Sequence, residues 1–341
     1  MPTEKIKIID GQRLLDLELP SIRFIVDKLI PQGLHILAGA PKIKKSWLLL
    51  LLCLKVAQGE KFWELTTEKG TTLYLGLEDS LNRLQTRLSI ITDTAPDNLK
   101  FATMVNSLSG GLLEQLEIFL TDYPDTNLVV IDTLQKVRDN LSDANLYGND
   151  YKDIGLIKAF ADKHRIAIIV VQHLRKQFDS DPHSMVTGST GLVGAADSSF
   201  VLKKDKPEDE TAKLYVRGRD IEEQVMTLRF DGEAMEWIFV STDSPMTDSM
   251  KRDTVIPQLI NYLQKEKEFI GTASELAEKI KAVSGAETKS NVLTRKLNAF
   301  ESELADMGIE FTKSRSGERR EILLIYSPKE ANDDMTIETG S

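Results

Sequence analysis

Lys45 and Ser46 close the stretch Gly39-Ala40-Pro41-Lys42-Ile43-Lys44-Lys45-Ser46, and an ammonium next to a hydroxyl at the end of such a loop suits polyphosphate binding. The run Leu34-His35-Ile36-Leu37-Ala38 before it reads as a strand, and the leucine-rich segment from Trp47 reads as a helix. In that setting, backbone N–H groups and a helix N-terminus wrap phosphates. Lys45 would reach the β- and γ-phosphates, and Ser46 would help hold Mg²⁺. Gly39 through Trp47 is therefore the expected ATP-binding segment. One position departs from the pattern GxxxxGK[ST]: Lys44 stands where the second glycine belongs. A lysine there costs roughly 1–2 kcal/mol if the loop needs a left-handed backbone. Binding is expected on this reading, and turnover is the point that Lys44 leaves open.

Triphosphate hydrolysis also needs a metal, an oriented water and cations for the charge that develops on the γ-phosphate. Asp132 ends the apolar run Asn127-Leu128-Val129-Val130-Ile131-Asp132 and suits a Walker B metal ligand; the bland reading is a turn or cap residue. Glu78 follows the strand-like Gly70–Leu77 and could polarise water. Its competing reading is the N-cap of the next helix, a job Asp79 or Ser80 could do as well. His173 closes the run Ala167–Val171 through Gln172, where a polar side chain can report on the γ-phosphate; a lone histidine is otherwise an ordinary surface or core residue. Arg217 and Arg219 alternate in Tyr215-Val216-Arg217-Gly218-Arg219-Asp220, so on a strand they share a side. They read either as arginine fingers for a neighbouring subunit's nucleotide or as a solvated strand edge.

The elements that must position these groups follow from periodicity. Strand-like runs alternate with helical stretches at Ser80–Thr92, Leu112–Tyr123 and Asp153–His164, with a strand Leu99–Val105 and a polar stretch Arg138–Tyr151 between them. That order predicts an α/β domain with a mostly parallel sheet. Four closely spaced strands, Ser199–Lys203, Lys213–Arg217, Met226–Phe230 and Met235–Val240, predict an antiparallel extension. Residues 1–33 read as a lead-in segment broken by Pro20 and Pro31, and the polar stretch Ser241–Thr247 marks a domain boundary.

Residues 250–328 form a second unit: a helix Val255–Lys265, a Thr272/Glu275 capping box opening Ser274–Ala282, and a long helix Thr288–Met307. Leu293, Leu297, Phe300, Leu304 and Met307 mark that helix's apolar face, and Gly308 ends it. A hairpin of Ile309–Lys313 and Glu321–Tyr326 follows around the basic tip Ser314–Arg320. That order predicts a winged helix-turn-helix, with Lys289, Arg295, Lys296, Arg315, Arg319 and Arg320 available to phosphates, or else a protein docking module. Residues 329–341 read as an acidic, disordered tail.

Composition bounds the partners. The 341 residues suggest about two domains, and 28% charged with 41% hydrophobic residues is ordinary for a soluble globular protein. The net charge of −10 excludes indiscriminate coating of nucleic acid. Residues 251–330, however, carry 14 Lys and Arg against 13 Asp and Glu, so nucleic-acid contact is expected to be local. Cys53 alone excludes an internal disulfide and, with no signal-peptide pattern, points to the cytoplasm. The longest apolar run, Trp47–Leu54, falls far short of the ~18–20 residues a membrane span needs.

Taken in order, Gly39–Ser46, Leu77-Glu78-Asp79, Val130-Ile131-Asp132-Thr133, Gln172-His173-Leu174-Arg175-Lys176 and Arg217-Gly218-Arg219 resemble the RecA-like AAA-type ATPases related to RepA-type plasmid replicative helicases. Val186–Gly191 and Ala195–Ser198 add to the likeness, which spans about residues 20–235. The resemblance implies an ATP hydrolase working as a homo-oligomer, a hexameric ring with Mg²⁺ and ATP at each subunit interface. Lys45, Ser46 and Asp132 would bind nucleotide and metal, Glu78 would activate water and His173 would sense the γ-phosphate. Arg219, with Arg217, would act in trans. Loops near Val137–Tyr151 and Leu174–Gly188 would face single-stranded DNA, and the protein would serve replication of a plasmid, phage or other mobile element. Two rivals stand beside this motor: a nucleotide-gated DNA-binding regulator in which Lys44 has removed turnover, and a filament-forming recombination mediator.

Overall fold

Strands buried on both faces are written as unbroken apolar runs, as in β3 (Gly33–Gly39) and β6 (Thr126–Asp132), each buried at every residue. The structure is a computed structural model describing residues 8–138, 146–175, 179–187, 190–206, 208–243, 253, 255–316 and 319–327. It divides into two units, Met1–Ser244 and Pro245–Ser341.

In the first unit a short helix α1 (Gly11–Asp16) and a small ladder of β1 (Phe24–Val26) with β2 (Ile30–Pro31) precede β3. Then come α2 (Lys45–Gln58), β4 (Thr71–Gly76), α3 (Leu81–Ile91), β5 (Leu99–Ala102), α4 (Leu112–Asp122), β6, α5 (Leu134–Val137), α6 (Leu146–His164), β7 (Ala167–His173) and α7 (Thr190–Ala195). The strands β8 (Ser198–Lys203), β9 (Thr211–Gly218), β10 (Gln224–Asp231) and β11 (Glu236–Asp243) finish the unit. One nine-stranded sheet results, in the order β11-β10-β9-β8-β3-β7-β6-β4-β5. It is parallel from β8 through β5, and β9–β11 extend it as an antiparallel meander.

Alternation along each strand feeds two cores. Leu37, Ile169 and Val171 pack with α2 on one face, while Ile36, Ile168 and Val170 pack with α4 and α6 on the other. The long apolar stretch after Lys45 is α2 itself, buried along most of its length and closed by Gly59 at φ 73°. Cys53 lies within it, and burial pushes its thiol well above the ordinary range. Among the described residues, no helix is long and apolar enough to cross a membrane.

Three local expectations give way. The strand Leu99–Val105 ends at Ala102, and the polar stretch Arg138–Tyr151 is helical from Leu146, the start of α6. The core contacts of α6 come from Ile154, Ile157 and Phe160 further along, where the apolar spacing was legible. The lead-in segment, read only as broken by Pro20 and Pro31, contains α1 with Asp10 as its N-cap.

The second unit runs α8 (Ile256–Glu266), β12 (Glu268–Gly271), α9 (Ala273–Ser284), α10 (Ser290–Ala299), α11 (Glu301–Asp306), β13 (Ile309–Ser316) and β14 (Arg319–Tyr326), with sheet order β12-β14-β13. Thr272 and Glu275 form the reciprocal capping box. The long helix expected over Thr288–Met307 is two helices, broken at Phe300, whose backbone leaves the helical region at φ −107° and ψ 16°. The break still buries Leu293, Leu297, Phe300 and Leu304 in one core, and it leaves Met307 49% exposed rather than on that face. The strand β12 was not anticipated. Residues 139–145, 176–178, 188–189, 244–250, 317–318 and 328–341 lie outside the described residues, and with them parts of the expected DNA-facing loops, the boundary segment, the wing tip and the acidic tail.

Candidate functional site

Parallel strands bring their C-terminal ends to one edge of a sheet, where open α/β folds place their ligand sites. Here Gly39 of β3 is registered with His173 of β7, and Gly76 of β4 with Asp132 of β6. The loop Ala40–Lys44 leaves Gly39 and enters α2 at Lys45. A side chain on Gly39 would meet the Leu202 carbonyl at 2.9 Å and Ile43 at 3.0 Å, so the loop needs glycine there. Ile43 points into the core, whereas Ala40, Pro41 and Lys42 are exposed.

Asp132 is the hub. Its Oδ2 accepts the Ser46 hydroxyl at 2.7 Å and the Tyr74 phenol, also at 2.7 Å. Lys45 is 7% exposed, and its ammonium donates to the carbonyls of Gly39 (2.9 Å) and Ala40 (3.1 Å). Burial lowers the Lys45 pKa, opposed by the nearby carboxylates of Asp132 and Glu78. Burial likewise raises the Asp132 pKa, opposed by the hydroxyls of Tyr74 and Ser46 and by Lys45. Glu78 lies just beyond β4 and accepts the Thr133 hydroxyl at 3.2 Å. It is not the helix cap: Ser80 takes that role, accepting from the Arg83 N–H, while Asp79 pairs with Arg83 and Arg87. Arg87 also lies over the Trp47 ring, 5.8 Å from its centroid, so Trp47 is held in packing at the helix start. His173 accepts the Thr187 N–H through its carbonyl, and its buried Nδ1 has no hydrogen-bond partner among the described residues.

Lys44 does adopt the left-handed backbone its position demands, φ 73° and ψ 28°. For a residue with a Cβ this costs about 1 kcal/mol or more. Its carbonyl accepts the Trp237 indole N–H at 3.3 Å, and its ammonium sits 5.4 Å from the Phe230 ring centroid.

The donor set suits Mg²⁺ with a triphosphate. No cluster of three or more His, Cys, Asp or Glu side chains able to hold a metal occurs among the described residues. A hydroxyl and one carboxylate at a phosphate loop are what a metal needs when phosphate and water supply its other oxygens. A family model described as the AAA domain matches residues 3–179, just over half of the chain.

The chain belongs to the AAA domain family.

No curated protein matches the sequence. Among solved structures, one ATPase domain is similar at 13% identity with a TM-score of 0.52, covering 62% of this chain and 85% of that one. A DnaB-like replicative helicase, solved for its interactions with primase, is similar at 14% identity with a TM-score of 0.50, covering 64% of this chain and 58% of that one. Together with the sheet order, these likenesses make the AAA domain of this protein a RecA-like P-loop NTPase fold.

The two arginines lie beyond the residues the AAA domain model matches, and away from the phosphate loop. Gly218 is registered with Ser198 and Ser198 with His35, at the opposite end of β3 from Gly39. Four residues of strand separate those ends by about 13 Å. They do not form a pair on one strand, because β9 ends at Gly218, where Ser198 and Ile221 would crowd any Cβ. Arg217 pairs with Asp181 at 2.9 Å and Glu223 at 2.7 Å. Arg219 donates to the Gly194 carbonyl at 3.2 Å and lies 3.9 Å from Asp197, which also pairs with Lys158. Reading the sequence missed Tyr74, Thr133 and Trp237. Tyr74 had a signal: a phenol in an otherwise apolar buried strand requires a partner.

Proposed function

We propose that this protein binds ATP with Mg²⁺ and hydrolyses it as a DNA-dependent, helicase-like motor. The observation that carries the reading is the gathering of Lys45, Ser46, Asp132 and Glu78 at the C-terminal edge of a RecA-like sheet. Lys45 is the cation for the β- and γ-phosphates, released from the Gly39 and Ala40 carbonyls. Ser46 and Asp132 hold the metal, which neutralises charge on the phosphates when bound. Glu78, oriented by Thr133, polarises the attacking water, and His173 senses the γ-phosphate with an Nδ1 that has no partner among the described residues. Arg219, with Arg217, completes the site of a neighbouring copy, since neither can reach its own phosphate loop.

The finer reading is a ring, hexameric by resemblance to RepA-type helicases of mobile elements, with single-stranded DNA in its channel. The likeness to a DnaB-like replicative helicase favours a replicative role. The C-terminal unit, proposed as 250–328, runs helix–strand–helix–helix–helix–hairpin, an order that supports a winged-helix reading with duplex or protein docking.

The test is ATP hydrolysis by wild type, Lys45→Ala and Lys44→Gly, each with and without single-stranded DNA. Wild-type turnover that DNA accelerates and Lys45→Ala abolishes supports the motor. Turnover by Lys44→Gly alone supports the second reading, a nucleotide-gated regulator. Unchanged hydrolysis by Lys45→Ala removes the phosphate-loop assignment.

A further inference from the structure

The site departs from its motif at one residue, and an element remote in sequence touches that residue twice. Trp237 of β11 donates its indole N–H to the Lys44 carbonyl, and Phe230 of β10 lies beneath the Lys44 ammonium. We propose that the β10–β11 hairpin belongs to the phosphate-binding machinery, with Trp237 and Phe230 as positioning residues that hold Lys44 in the conformation a glycine adopts unaided. The inference rests on the nucleotide-binding reading of the loop and adds a second element to it.

The clamp is itself fixed. Trp237 is 1% exposed, and its ring meets Phe230 edge to face with centroids 5.1 Å apart. The two residues face each other in the ladder, and the Trp237 carbonyl accepts the Trp63 indole N–H at 2.8 Å. A buried indole needs an acceptor, and this one is satisfied at the backbone of the phosphate loop. The two neighbouring ammonium groups are thereby separated: that of Lys44 goes outward to the Phe230 face, while that of Lys45 turns inward to Gly39 and Ala40. A left-handed residue immediately before α2 sets the direction of the helix's first N–H groups. Relaxation of Lys44 toward an ordinary backbone would turn those donors away from a phosphate. The hairpin acts on ground-state geometry, so its loss weakens binding more than turnover.

The experiment is a double-mutant cycle on the full chain. Dissociation constants for ATP with Mg²⁺ are measured by equilibrium dialysis for wild type, Trp237→Phe, Lys44→Gly and the double variant, with a thermal midpoint for each. Trp237→Phe keeps a ring and removes the N–H. It should weaken ATP binding about fivefold when residue 44 is lysine and less than twofold when it is glycine, the worth of one hydrogen bond that glycine does not need. The same coupling should appear in the thermal midpoints without nucleotide. Equal losses in both backgrounds, or no loss in the lysine background, overturn the clamp. If neither wild type nor Lys44→Gly binds ATP, the nucleotide reading itself fails; ATP binding by wild type that ignores Trp237 overturns the clamp alone. Should Trp237→Phe not fold, Phe230→Leu carries the same comparison through the ammonium–ring contact.

Discussion

Asp132 shares one carboxylate oxygen between two hydroxyls, and the two come from different elements: Ser46 from the first turn of α2 and Tyr74 from β4. Two donors at one oxygen fix the carboxylate plane and leave Oδ1 to the proposed metal. Tyr74→Phe removes one of them from a buried acceptor, which costs about 1–3 kcal/mol in stability. If Asp132 holds Mg²⁺, the larger effect is on the Mg²⁺ requirement of ATP hydrolysis. The half-saturating Mg²⁺ concentration should rise several-fold while the rate at saturating Mg²⁺ falls little. A Mg²⁺ titration that overlays wild type would separate Tyr74 from metal binding. A second single residue governs acid stability. His35 is fully buried, its Nε2 donates to the Pro31 carbonyl, and burial depresses its pKa to about 4, with Asp197 pulling it up and Lys158 down. The fold therefore holds the neutral ring, and protonation favours the unfolded chain. Stability present above pH 6.5 is lost as pH falls toward 4, by up to about 1.4 kcal/mol per pH unit from this group. His183 is shifted the same way, first by burial and then by Arg217, and adds to the slope. Denaturant midpoints at pH 7 and pH 4.5 measure the loss, which His35→Gln should reduce.

The passage from β4 into α3 carries two tasks within three residues, and the elements divide them. Ser80 caps the helix and Glu78 faces Thr133. Ser80→Ala should cost about 1 kcal/mol of stability and leave ATP hydrolysis unchanged. Glu78→Gln should abolish turnover with stability and ATP affinity nearly intact; full activity of Glu78→Gln would return the residue to an ordinary loop role. Before the structure, the sequence left these tasks undivided, because a cap is chosen by backbone geometry and any of Glu78, Asp79 or Ser80 has the chemistry. The parallel strands were legible because burial on both faces writes an unbroken apolar run, and the phosphate loop because its spacing is local. The meander β8–β11 was legible for the same local reason: short strands with turns between them. What escaped depends on partners far apart in sequence. Tyr74 and Asp132 are 58 residues apart, and Lys44 and Trp237 are 193 apart. The placement of Arg217 and Arg219 escaped because β9 stops between them, at Gly218, where Ser198 and Ile221 come close to the backbone.

At the scale of the molecule, the proposed phosphate loop follows β3 at one edge of the sheet and the proposed arginine fingers flank the end of β9 at the opposite edge. If these arginines serve as trans fingers, a single chain does not close its own site, and a copy joined head to tail would present one end to the other, the heterologous contact that builds rings or filaments. Arg219 is suited to this by its exposure, 58% of the side chain, and by a root held at Asp197, where its backbone N–H meets the carbonyl at 2.9 Å. Lys158 pairs with the same carboxylate and buffers its charge, so Arg219 can turn outward without leaving an isolated buried anion. The trans reading then makes a prediction that no single variant can mimic. Lys45→Ala lacks a working phosphate loop but keeps its arginine, and Arg219→Ala has the reverse defect. Each alone should hydrolyse ATP at a small fraction of the wild-type rate, with Arg219→Ala still binding ATP. Mixed in equal amounts and allowed to reassemble, they form interfaces in which the Lys45→Ala chain lends its arginine to the intact loop of the other. Random head-to-tail pairing makes about a quarter of interfaces complete, so hydrolysis should recover toward that fraction of wild type. The recovery should vanish on dilution, because it depends on association. A mixture no more active than its parts, at concentrations where wild type turns over, would overturn the trans assignment of Arg219 and leave it as a partner of Asp197.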